Sequence, residues 1–391
     1  MKNICIDLTN IVPGKGGAGG GIATYGRELI LGIDELLGNS EDLRSEYKVT
    51  VLLNTDTYKN LPLQNLNRHY FAVNNQNLFA RMYWLHVRLP RFLKQQKMDL
   101  LHRILSEMPI RKVCNYAVTV HDFMFEFYLS RPEYVKYLGT KERLKFRLLN
   151  GLLSKSVETS DLVIANSQST GNDVKSRFPE SHSKVESVLL GYSQSSFSPP
   201  MNQEGKSDQI IRFGVVAAFH PHKGHLSVIK LAERIVALGF VNSFHFYFRG
   251  SPVYQEYYDE IKEAISQRNL TDYFTFESYD PEITLADIYN SYTATVLLSN
   301  YEGFGLPVIE SQAYSRPVIC SKIPVFEEIL GDSAIFLDKD PSDGELMGLM
   351  ADLKDVELME SLKEKGRLNA ANYTWSSTCK HTMEAYSKLL D

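Results

Sequence analysis

The sequence has no hydrophobic run long enough to cross a lipid bilayer, which takes about 18 to 20 consecutive apolar residues in a helix. Polar and charged residues interrupt every apolar stretch sooner than that. The first acidic residue is Asp7, which comes too early for the apolar segment of a secretory signal peptide. We therefore expect a cytosolic protein.

Cysteine is scarce and widely spaced. The chain of 391 residues has four cysteines, and no two of them form a Cys-x-x-Cys pair. This spacing excludes a disulfide framework and a zinc site built from cysteine pairs. We expect all four to be small buried hydrophobic side chains in a reducing compartment, namely Cys5, Cys114, Cys320 and Cys379.

Neither sign of charge is in large excess. The net charge is −5, with 23% charged and 43% hydrophobic residues, which excludes a disordered chain and bulk binding of nucleic acid. The charge is unevenly distributed, because residues 1–195 carry 25 Lys and Arg against 19 Asp and Glu, whereas residues 196–391 carry 17 against 28. The basic first half is therefore the half that would face an anionic surface.

Short β-branched segments alternate with longer segments of helical periodicity, which predicts parallel sheets covered by helices on both faces. Because the chain exceeds the usual size of one hydrophobic core, we expect two Rossmann-like, doubly wound α/β domains that face each other across a cleft. The predicted strands are residues 4–8, 49–53, 117–120 and 162–165 in the first half, and 211–217, 244–248, 273–276, 295–298 and 317–320 in the second.

The domain boundary is predicted near residue 200. Residues 196–208 contain Ser, Pro and polar residues without periodicity, which is typical of a linker. We therefore assign residues 1–195 to the first domain and 209–375 to the second. The last segment, 376–391, is expected to form a helix that packs back on the first domain.

The strongest motif is residues 299–310, Ser-Asn-Tyr-Glu-Gly-Phe-Gly-Leu-Pro-Val-Ile-Glu, which follows a predicted strand. Gly303 and Gly305 permit a tight turn and let a ligand approach backbone N–H groups at the start of a helix, where anions bind. Glu302 and Glu310 flank this edge, and carboxylates beside phosphates suit hydroxyl groups of a sugar. The alternative is that Glu302 caps the helix and Glu310 is solvated.

The spacing Glu302-x7-Glu310 resembles the Glu-x7-Glu motif of retaining glycosyltransferases of family four, which have the GT-B fold. The resemblance implies that Glu310 holds the ribose of a nucleotide-sugar. It also implies that Glu302 and the backbone at Phe304, Gly305 and Leu306 contact the transferred sugar and its diphosphate.

Residues 213–225 resemble the family's second phosphate-binding loop, in which an Arg and a Lys hold the diphosphate. Lys223 and Gly224 match the Lys-Gly pair, whereas Ala218 stands where the family has Arg. Arg249, at the end of the next strand, is the preferred substitute because its charge is permanent and its planar fork suits phosphate oxygens. His220 and His222 are the alternatives for this second charge.

His220-x-His222-x2-His225 could also be read as a metal cluster. No cysteine or acidic residue nearby completes a ligand set, so we interpret the segment as a polar loop and predict no metal site.

A glycine-rich stretch lies between the first strand and the first predicted helix. The spacing Gly14-x-Gly16-x-x-Gly19 matches the dinucleotide fingerprint, but no acidic residue follows at the required distance. Gly20 and Gly21 resemble the Gly-Gly loop with which the family contacts an anion or the acceptor. The alternative is a loop without a ligand.

His121 and Asp122 follow the strand predicted at 117–120. The pair resembles the family's first-domain His, which contacts the donor sugar. We predict that His121 positions the sugar or shares a proton, with Asp122 beside it, although a lone histidine is often structural.

Two basic stretches occur in the first half. Residues 81–97 have five Lys and Arg and no acid, and residues 136–155 have six against Glu142. Such segments can lie on an anionic membrane surface. The alternative is an ordinary basic helix with its apolar side in the core.

Taken together, the resemblance implies a retaining, metal-independent hexosyltransferase without a cofactor, acting in polysaccharide biosynthesis. The expected donor is UDP-glucose, with GDP-mannose as the next choice, and the expected acceptor is a glycan or a lipid-linked sugar. Catalytic roles fall to His121, Glu302 and Lys223. A sugar-nucleotide epimerase of the same fold and a non-catalytic nucleotide-sugar-binding protein are the alternatives, and the oligomeric state stays open.

Overall fold

The computed structural model describes residues 1–11, 20–57, 61–192, 210–278, 280 and 282–391. The predicted linker 196–208 and the fingerprint glycines Gly14, Gly16 and Gly19 lie outside these residues. The strands are β1 Lys2–Asp7, β2 Tyr47–Asn54, β3 Asn67–Phe71, β4 Leu100–Arg103, β5 Asn115–Val120, β6 Leu162–Ala165, β7 Val185–Ser187, β8 Ile211–Val216, β9 Phe244–Arg249, β10 Phe274–Glu277, β11 Ala294–Leu297, β12 Val318–Ser321 and β13 Ile335–Leu337. The helices are α1 Gly21–Asn39, α2 Glu41–Glu46, α3 Leu78–Tyr83, α4 Leu89–Gln95, α5 Met124–Leu129, α6 Pro132–Val135, α7 Thr140–Thr159, α8 Gln168–Arg177, α9 His225–Ala237, α10 Gln255–Gln267, α11 Leu285–Asn290, α12 Leu306–Ala313, α13 Pro324–Leu330, α14 Asp343–Asp352, α15 Val356–Ala370 and α16 Trp375–Leu390.

The chain divides into two compact units. The first unit comprises Met1–Leu129, Thr140–Gly191 and Thr374–Asp391, and the second comprises Ser130–Gly139 and Tyr192–Tyr373.

The segment Ser130–Gly139 differs from the sequence-based division, which counts it with the first domain. In the structure it packs within the second unit, where the ring of Tyr137 lies 5.2 Å from that of Tyr257. The hydroxyl of Tyr137 donates to Glu260 Oε2 over 2.7 Å. The ring contact and the hydrogen bond of Tyr137 cannot be read from the local sequence, because both partners lie more than a hundred residues away.

The first unit is built on a seven-stranded parallel sheet with the order β3-β2-β1-β4-β5-β6-β7. The strand order reverses between β1 and β4, whose last residues, Asp7 and Arg103, stand opposite each other in register. Their side chains form an ion pair that is almost completely buried. A buried ion pair resists removal of either partner, because the other charge would stay unpaired.

The last helix, α16, packs on α1 within this sheet's helical layer. Cys379 Sγ lies 3.5 Å from the carbonyl oxygen of Leu29, and a Cβ on Gly32 would lie 2.4 Å from the same sulfur. The absence of a side chain at Gly32 therefore sets how closely the two helices approach. Tyr386 of α16 reaches further inward and hydrogen-bonds His102 of β4 over 2.5 Å.

The second unit is built on a six-stranded parallel sheet with the order β10-β9-β8-β11-β12-β13. Its core is rich in aromatic side chains, and the rings of Phe213 and Phe246 stack at 4.7 Å between neighbouring strands. The strand order reverses between β8 and β11, so their carboxyl ends lie side by side at the edge where open α/β sheets bind ligands. All nine predicted strands occur, and the α/β prediction is confirmed.

Among the described helices, none combines the length and the apolar composition that crossing a membrane would require.

Candidate active site

Two loops of the second unit leave the neighbouring carboxyl ends of β8 and β11. The backbone N–H of Asn300 donates to the carbonyl of His222 over 2.7 Å and joins the loops. Gly224 adopts a left-handed conformation with φ 73°, and a Cβ at this position would lie 1.9 Å from the carbonyl oxygen of Leu298. Only glycine allows both the conformation and the close approach. The Lys-Gly pair therefore places Lys223 directly over the second loop.

Lys223 and Glu302 form the central ion pair of this site. Lys223 Nζ lies 2.7 Å from Oε1 and 2.8 Å from Oε2 of the carboxylate, and Ser299 Oγ donates to Oε1 over 2.8 Å. The side chain of Lys223 is 18% exposed and that of Glu302 is 7% exposed. Glu302 does not cap the following helix, so the capping alternative is wrong.

The segment Gly303–Leu306 connects Glu302 to the start of α12, and its aromatic side chain is buried. Phe304 is 3% exposed, with its ring 5.9 Å from that of Tyr373. Gly305 adopts φ 104°, and a Cβ there would lie 2.5 Å from the ring of Phe326. Helix α12 begins at Leu306 without a side-chain cap, so its first N–H groups and the positive end of its dipole form an anion-binding edge.

Glu310 lies one turn into α12, in surroundings different from those of Glu302. The buried hydroxyl of Tyr289 donates to Glu310 Oε2 over 2.8 Å, so this carboxylate is not simply solvated. Burial raises the pKa of the Glu310 carboxyl above its usual range. The two carboxylates of the motif therefore differ, since one is matched by a lysine and the other by a neutral phenol.

Arg249 lies at the end of β9 and pairs with a different carboxylate. Its Nε donates to Glu277 Oε2 over 2.9 Å, and the hydroxyl of Tyr292 donates to the same oxygen over 2.7 Å. Glu277 is the register partner of Arg249 on the neighbouring strand β10. The carboxylate that the guanidinium of Arg249 binds is thus Glu277 and not Glu302.

The histidines of the β8–α9 loop do not supply a second positive charge at neutral pH. Burial lowers the pKa of His220 to about 4 and that of His225 to about 3. The pKa of His222 lies well below its ordinary value for the same reason. Within the described part of the chain, no three His, Cys, Asp or Glu side chains are grouped in a way that could hold a metal ion.

His121 lies in the first unit, after β5. Its Nε2 is 3.0 Å from the carbonyl oxygen of Ile104, which can only accept, so Nε2 carries the proton and Nδ1 is an acceptor. The ring meets that of Tyr25 edge to face at 5.2 Å. Burial lowers the pKa of His121 to about 4, which keeps the imidazole neutral at physiological pH.

The other first-unit residues of the prediction lie at helix starts. Asp122 Oδ1 accepts the N–H of Met124 over 2.8 Å at the beginning of α5. Gly20 is exposed and precedes α1, where its carbonyl accepts the N–H groups of Ala23 and Thr24. A Cβ on Gly21 would meet no atom within 4 Å, so packing does not explain this glycine.

Three further residues hold the predicted ones in place and were not predicted as site residues from the sequence. Ser299 binds Glu302, Tyr289 binds Glu310, and Tyr25 packs on His121. Ser299 had a signal in the sequence, because it is a polar residue three positions before Glu302 at the end of an apolar strand. The two tyrosines had none, since their partners lie 21 and 96 residues away.

Two family models match the chain. The model described as "Glycosyl transferases group 1" matches residues 200–369, and "Glycosyltransferase Family 4" matches residues 39–192. Together they account for most of the chain.

Individual proteins are similar at low identity. "O-antigen chain mannosyltransferase RfbU" of Salmonella typhimurium is 26% identical over 262 residues, which cover 67% of this chain and 66% of the relative. For the first curated relatives that the chain matches, the aligned parts span 31% to 66% of the relatives' own lengths. Sucrose-phosphate synthase from Thermosynechococcus elongatus superposes with a TM-score of 0.72 at 15% identity, covering 100% of this chain and 99% of the other. The Anabaena protein Alr3699/HepE, solved with UDP-glucose, gives 0.65 at 15% identity and covers 99% and 100%.

The solved structures show the fold alone, and they agree with the two parallel sheets. The family is shown by the two models, of which the one matching residues 200–369 includes both the Lys223 loop and the Glu302–Glu310 motif. The chain therefore belongs to glycosyltransferase family four and has the GT-B fold.

Proposed function

We propose that this chain is a retaining glycosyltransferase that transfers a hexose from a nucleotide-sugar to a glycan or lipid-linked acceptor in polysaccharide biosynthesis. The observation that carries the proposal is the Lys223–Glu302 pair beside the uncapped start of α12. This edge offers a cation, backbone N–H groups and carboxylates within one loop cluster. A diphosphate that carries hydroxyl-rich groups on both sides needs this combination.

The donor roles follow from the surroundings of each group. The N–H groups at Gly305 and Leu306, with Lys223, bind the diphosphate. Glu302 accepts a hydrogen bond from a hydroxyl of the hexose. Glu310, held by Tyr289, accepts a hydrogen bond from a hydroxyl of the ribose. Lys223 then contacts both Glu302 and the phosphate, so the ion pair also orients the cation.

The reaction breaks the bond between the anomeric carbon and the phosphate oxygen and forms a bond from that carbon to the acceptor oxygen on the same face. The acceptor's proton passes to the departing phosphate oxygen. As the bond to the anomeric carbon breaks, negative charge grows on the diphosphate. Lys223 and the positive end of α12 stabilise this charge without reorganising. We propose that these groups suffice without a divalent ion. In this structure Glu277 balances the positive charge of Arg249.

His121 fits the role of a positioning group. A neutral imidazole whose Nε2–H is bound to a carbonyl presents Nδ1 as an acceptor, which suits a sugar hydroxyl. It cannot act as a strong acid at neutral pH in this state. Of the two roles predicted from the sequence, this geometry favours sugar positioning over proton sharing.

Two nucleotide-sugars are candidates for the donor. UDP-glucose is the donor implied by the sequence resemblance, and it is the compound in one of the matching solved structures. GDP-mannose is favoured by the relatives described as mannosyltransferases. Both donors contain a diphosphate and a hexose, so the groups named above can bind either. The contacts with the base and the sugar decide which donor is preferred.

The test measures the melting temperature of the full chain with UDP-glucose, GDP-mannose, UDP and GDP. The true donor raises it most, because only a ligand that prefers the native state stabilises it. Release of the nucleoside diphosphate is then followed with the preferred donor, with and without a chelator. Glu302→Gln should lower this release at least about a hundred-fold, as loss of an electrostatic group does in other enzymes. Glu327→Gln, an exposed glutamate of the same unit, is the matched control.

Three outcomes contradict the proposal. Appearance of an epimeric sugar-nucleotide supports the epimerase. Stabilisation without any release, in the presence of sugar acceptors, supports a binding protein. Activity that a chelator abolishes and Mg²⁺ restores removes the metal-independent mechanism.

A further inference from the structure

The first unit carries a long stretch without negative charge. Residues 57–98 include no Asp or Glu and seven basic residues. Asp56 and Asp99 bound this stretch, which includes the edge strand β3 and helices α3 and α4. The basic residues are Lys59, Arg68, Arg81, Arg88, Arg91, Lys94 and Lys97.

Helices α3 and α4 are joined by a π-helical turn, Trp84–Arg88, and form one continuous helical segment, Leu78–Gln95. One side of it packs on the core through buried apolar side chains. These are Trp84, Leu85, Leu89 and Leu93, none more than 2% exposed.

The other side of the same segment exposes apolar side chains to solvent. Phe79 is 86% exposed, Leu78 56% and Tyr83 55%. Ile110, which is 85% exposed, adjoins the same helical segment at His86, because its N–H donates to His86 Nδ1 over 3.3 Å. Scattered exposed apolar residues are ordinary, but four of them at one place indicate an interaction surface.

Exposed basic residues continue the segment towards its carboxyl end. Arg88, Arg91 and Lys94 are exposed, and the guanidinium of Arg88 lies over the rings of Trp84 and Phe71 at 5.6 Å and 5.8 Å. These ring contacts hold the Arg88 charge at the surface. We call the surface formed by Leu78, Phe79, Tyr83, Ile110, Arg88, Arg91 and Lys94 the α3–α4 face.

We propose that the α3–α4 face docks the first unit on an anionic lipid surface, with the apolar side chains inserted among the lipids and the basic residues against the headgroups. Aromatic and aliphatic tips beside arginine and lysine, without acids, are the composition of interfacial helices. Charge complementarity selects anionic lipid, and each basic residue near such a surface contributes about five-fold in affinity. The docking is independent of the transfer reaction, since it requires no donor.

The second basic stretch, residues 136–155, is the other candidate for lipid binding in this chain. In the structure it is divided between the units, because Lys136 lies in the second unit, where it pairs with Glu260, whereas α7 lies in the first. Leu144 and Leu148 of α7 are exposed by 68% and 54% among basic residues. A variant of α7 therefore tests whether the α3–α4 face or α7 binds lipid.

The experiment uses the full chain and sedimentation with vesicles of equal parts phosphatidylglycerol and phosphatidylcholine, compared with vesicles of phosphatidylcholine alone. We expect binding to the anionic vesicles that weakens as salt is raised. Phe79→Ser should lower the partition coefficient about ten-fold, and Arg91→Gln about five-fold. The matched controls are Val356→Ser, at an apolar residue 74% exposed on the second unit, and Lys380→Gln, at an exposed lysine of α16. Both controls should bind as the unsubstituted chain does.

Four results would overturn the proposal. These are absence of vesicle binding, equal binding to neutral vesicles, unchanged binding of Phe79→Ser, and loss of binding in Leu144→Ser instead. Sedimentation velocity without lipid supplies a further test. If Phe79→Ser converts a dimer to a monomer there, the α3–α4 face joins two copies of the chain and the lipid proposal fails.

Discussion

The hydroxyl of Tyr289 donates to Oε2 of Glu310 over 2.8 Å, from a ring that is completely buried. The phenol is a neutral partner for a carboxylate whose pKa burial has raised. Glu310 is therefore held in position at a cost to the folded state. Such a cost is expected where a group is kept for binding rather than for stability.

Replacing Glu310 by Gln should stabilise the protein and weaken donor binding. The folded pKa is raised, so the folded state retains its proton longer, and the group's contribution to stability falls as pH rises through the interval above the ordinary glutamate pKa. The gain from the substitution is thus greatest at neutral pH and disappears in acid. Urea unfolding at neutral and at acidic pH measures this gain in the free energy of unfolding. Calorimetry with the preferred nucleoside diphosphate should show a loss of about 1 to 3 kcal/mol. A less stable Glu310→Gln protein at neutral pH would contradict the interpretation.

The Lys223–Glu302 pair should be strongly coupled. A double-mutant cycle with Lys223→Met and Glu302→Gln should give about 1 to 3 kcal/mol of coupling in the free energy of unfolding, because both side chains are largely buried. The comparison pair is Lys155–Glu158, with side chains 69% and 46% exposed, where we expect no more than about 0.5 kcal/mol. Equal coupling in the two cycles would mean that burial does not strengthen the pair.

His225 should contribute to acid unfolding. Its ring is buried beside Phe219, Phe248 and Tyr257, and burial lowers its pKa to about 3. The unfolded chain takes up a proton near the ordinary histidine pKa, so stability falls as pH drops from about 6.5 towards 3. Removing this group should reduce the slope of unfolding free energy against pH by up to about 1.4 kcal/mol per pH unit.

Two variants separate titration from packing at this position. His225→Phe and His225→Gln cannot titrate, so both should show the shallower slope, although their stabilities at neutral pH will differ. If the slope keeps its full value in both variants, other groups are responsible for the acid sensitivity.

Gly32 should be replaceable only together with Cys379. A Cβ on Gly32 would lie 2.4 Å from the sulfur of Cys379, so Gly32→Ala should cost about 1 to 3 kcal/mol through overpacking. Adding Cys379→Ala removes that sulfur, and the double variant should be more stable than the sum of the single effects predicts. Additive effects in thermal or urea unfolding would show that the helices separate freely.

Replacing His121 by Ala should reduce turnover more than nucleotide affinity, because the proposed contact is with the transferred sugar. Initial rates and binding of the nucleoside diphosphate are measured separately. His121→Asn retains a hydrogen-bonding side chain and should recover part of the rate. Turnover at the original level in His121→Ala would exclude a role in the reaction.

Much of the fold could be predicted because short β-branched runs between helical segments indicate buried parallel strands. β4, Leu100–Arg103, was missed because it ends in His102 and Arg103, polar residues that the structure buries against Thr119 and Asp7. β13 has three residues, too few for a period-two pattern to appear. The failure at β4 arises from partners that are distant in sequence, and the failure at β13 from the length of the strand; β3 and β7 were not predicted either.

The part of the site whose residues are close in sequence was predictable, and the part whose residues are far apart in sequence was not. The glycines and acids of residues 302–310 form one loop and helix start, whose chemistry can be read from their spacing. The preference for Arg249 overlooked Glu277, since the two residues meet only through the register of β9 and β10. No local pattern encodes that register.

The packing of α16 on α1 has a consequence for synthesis. The sheet of the first unit is complete once Ser187 has been made, but the helix that covers α1 begins only at Trp375. At about 5 to 20 residues per second, the ribosome needs roughly 10 to 40 s more to make that helix. During this time the nascent chain exposes the apolar side of α1, so chaperone binding should concentrate there until α16 has been translated.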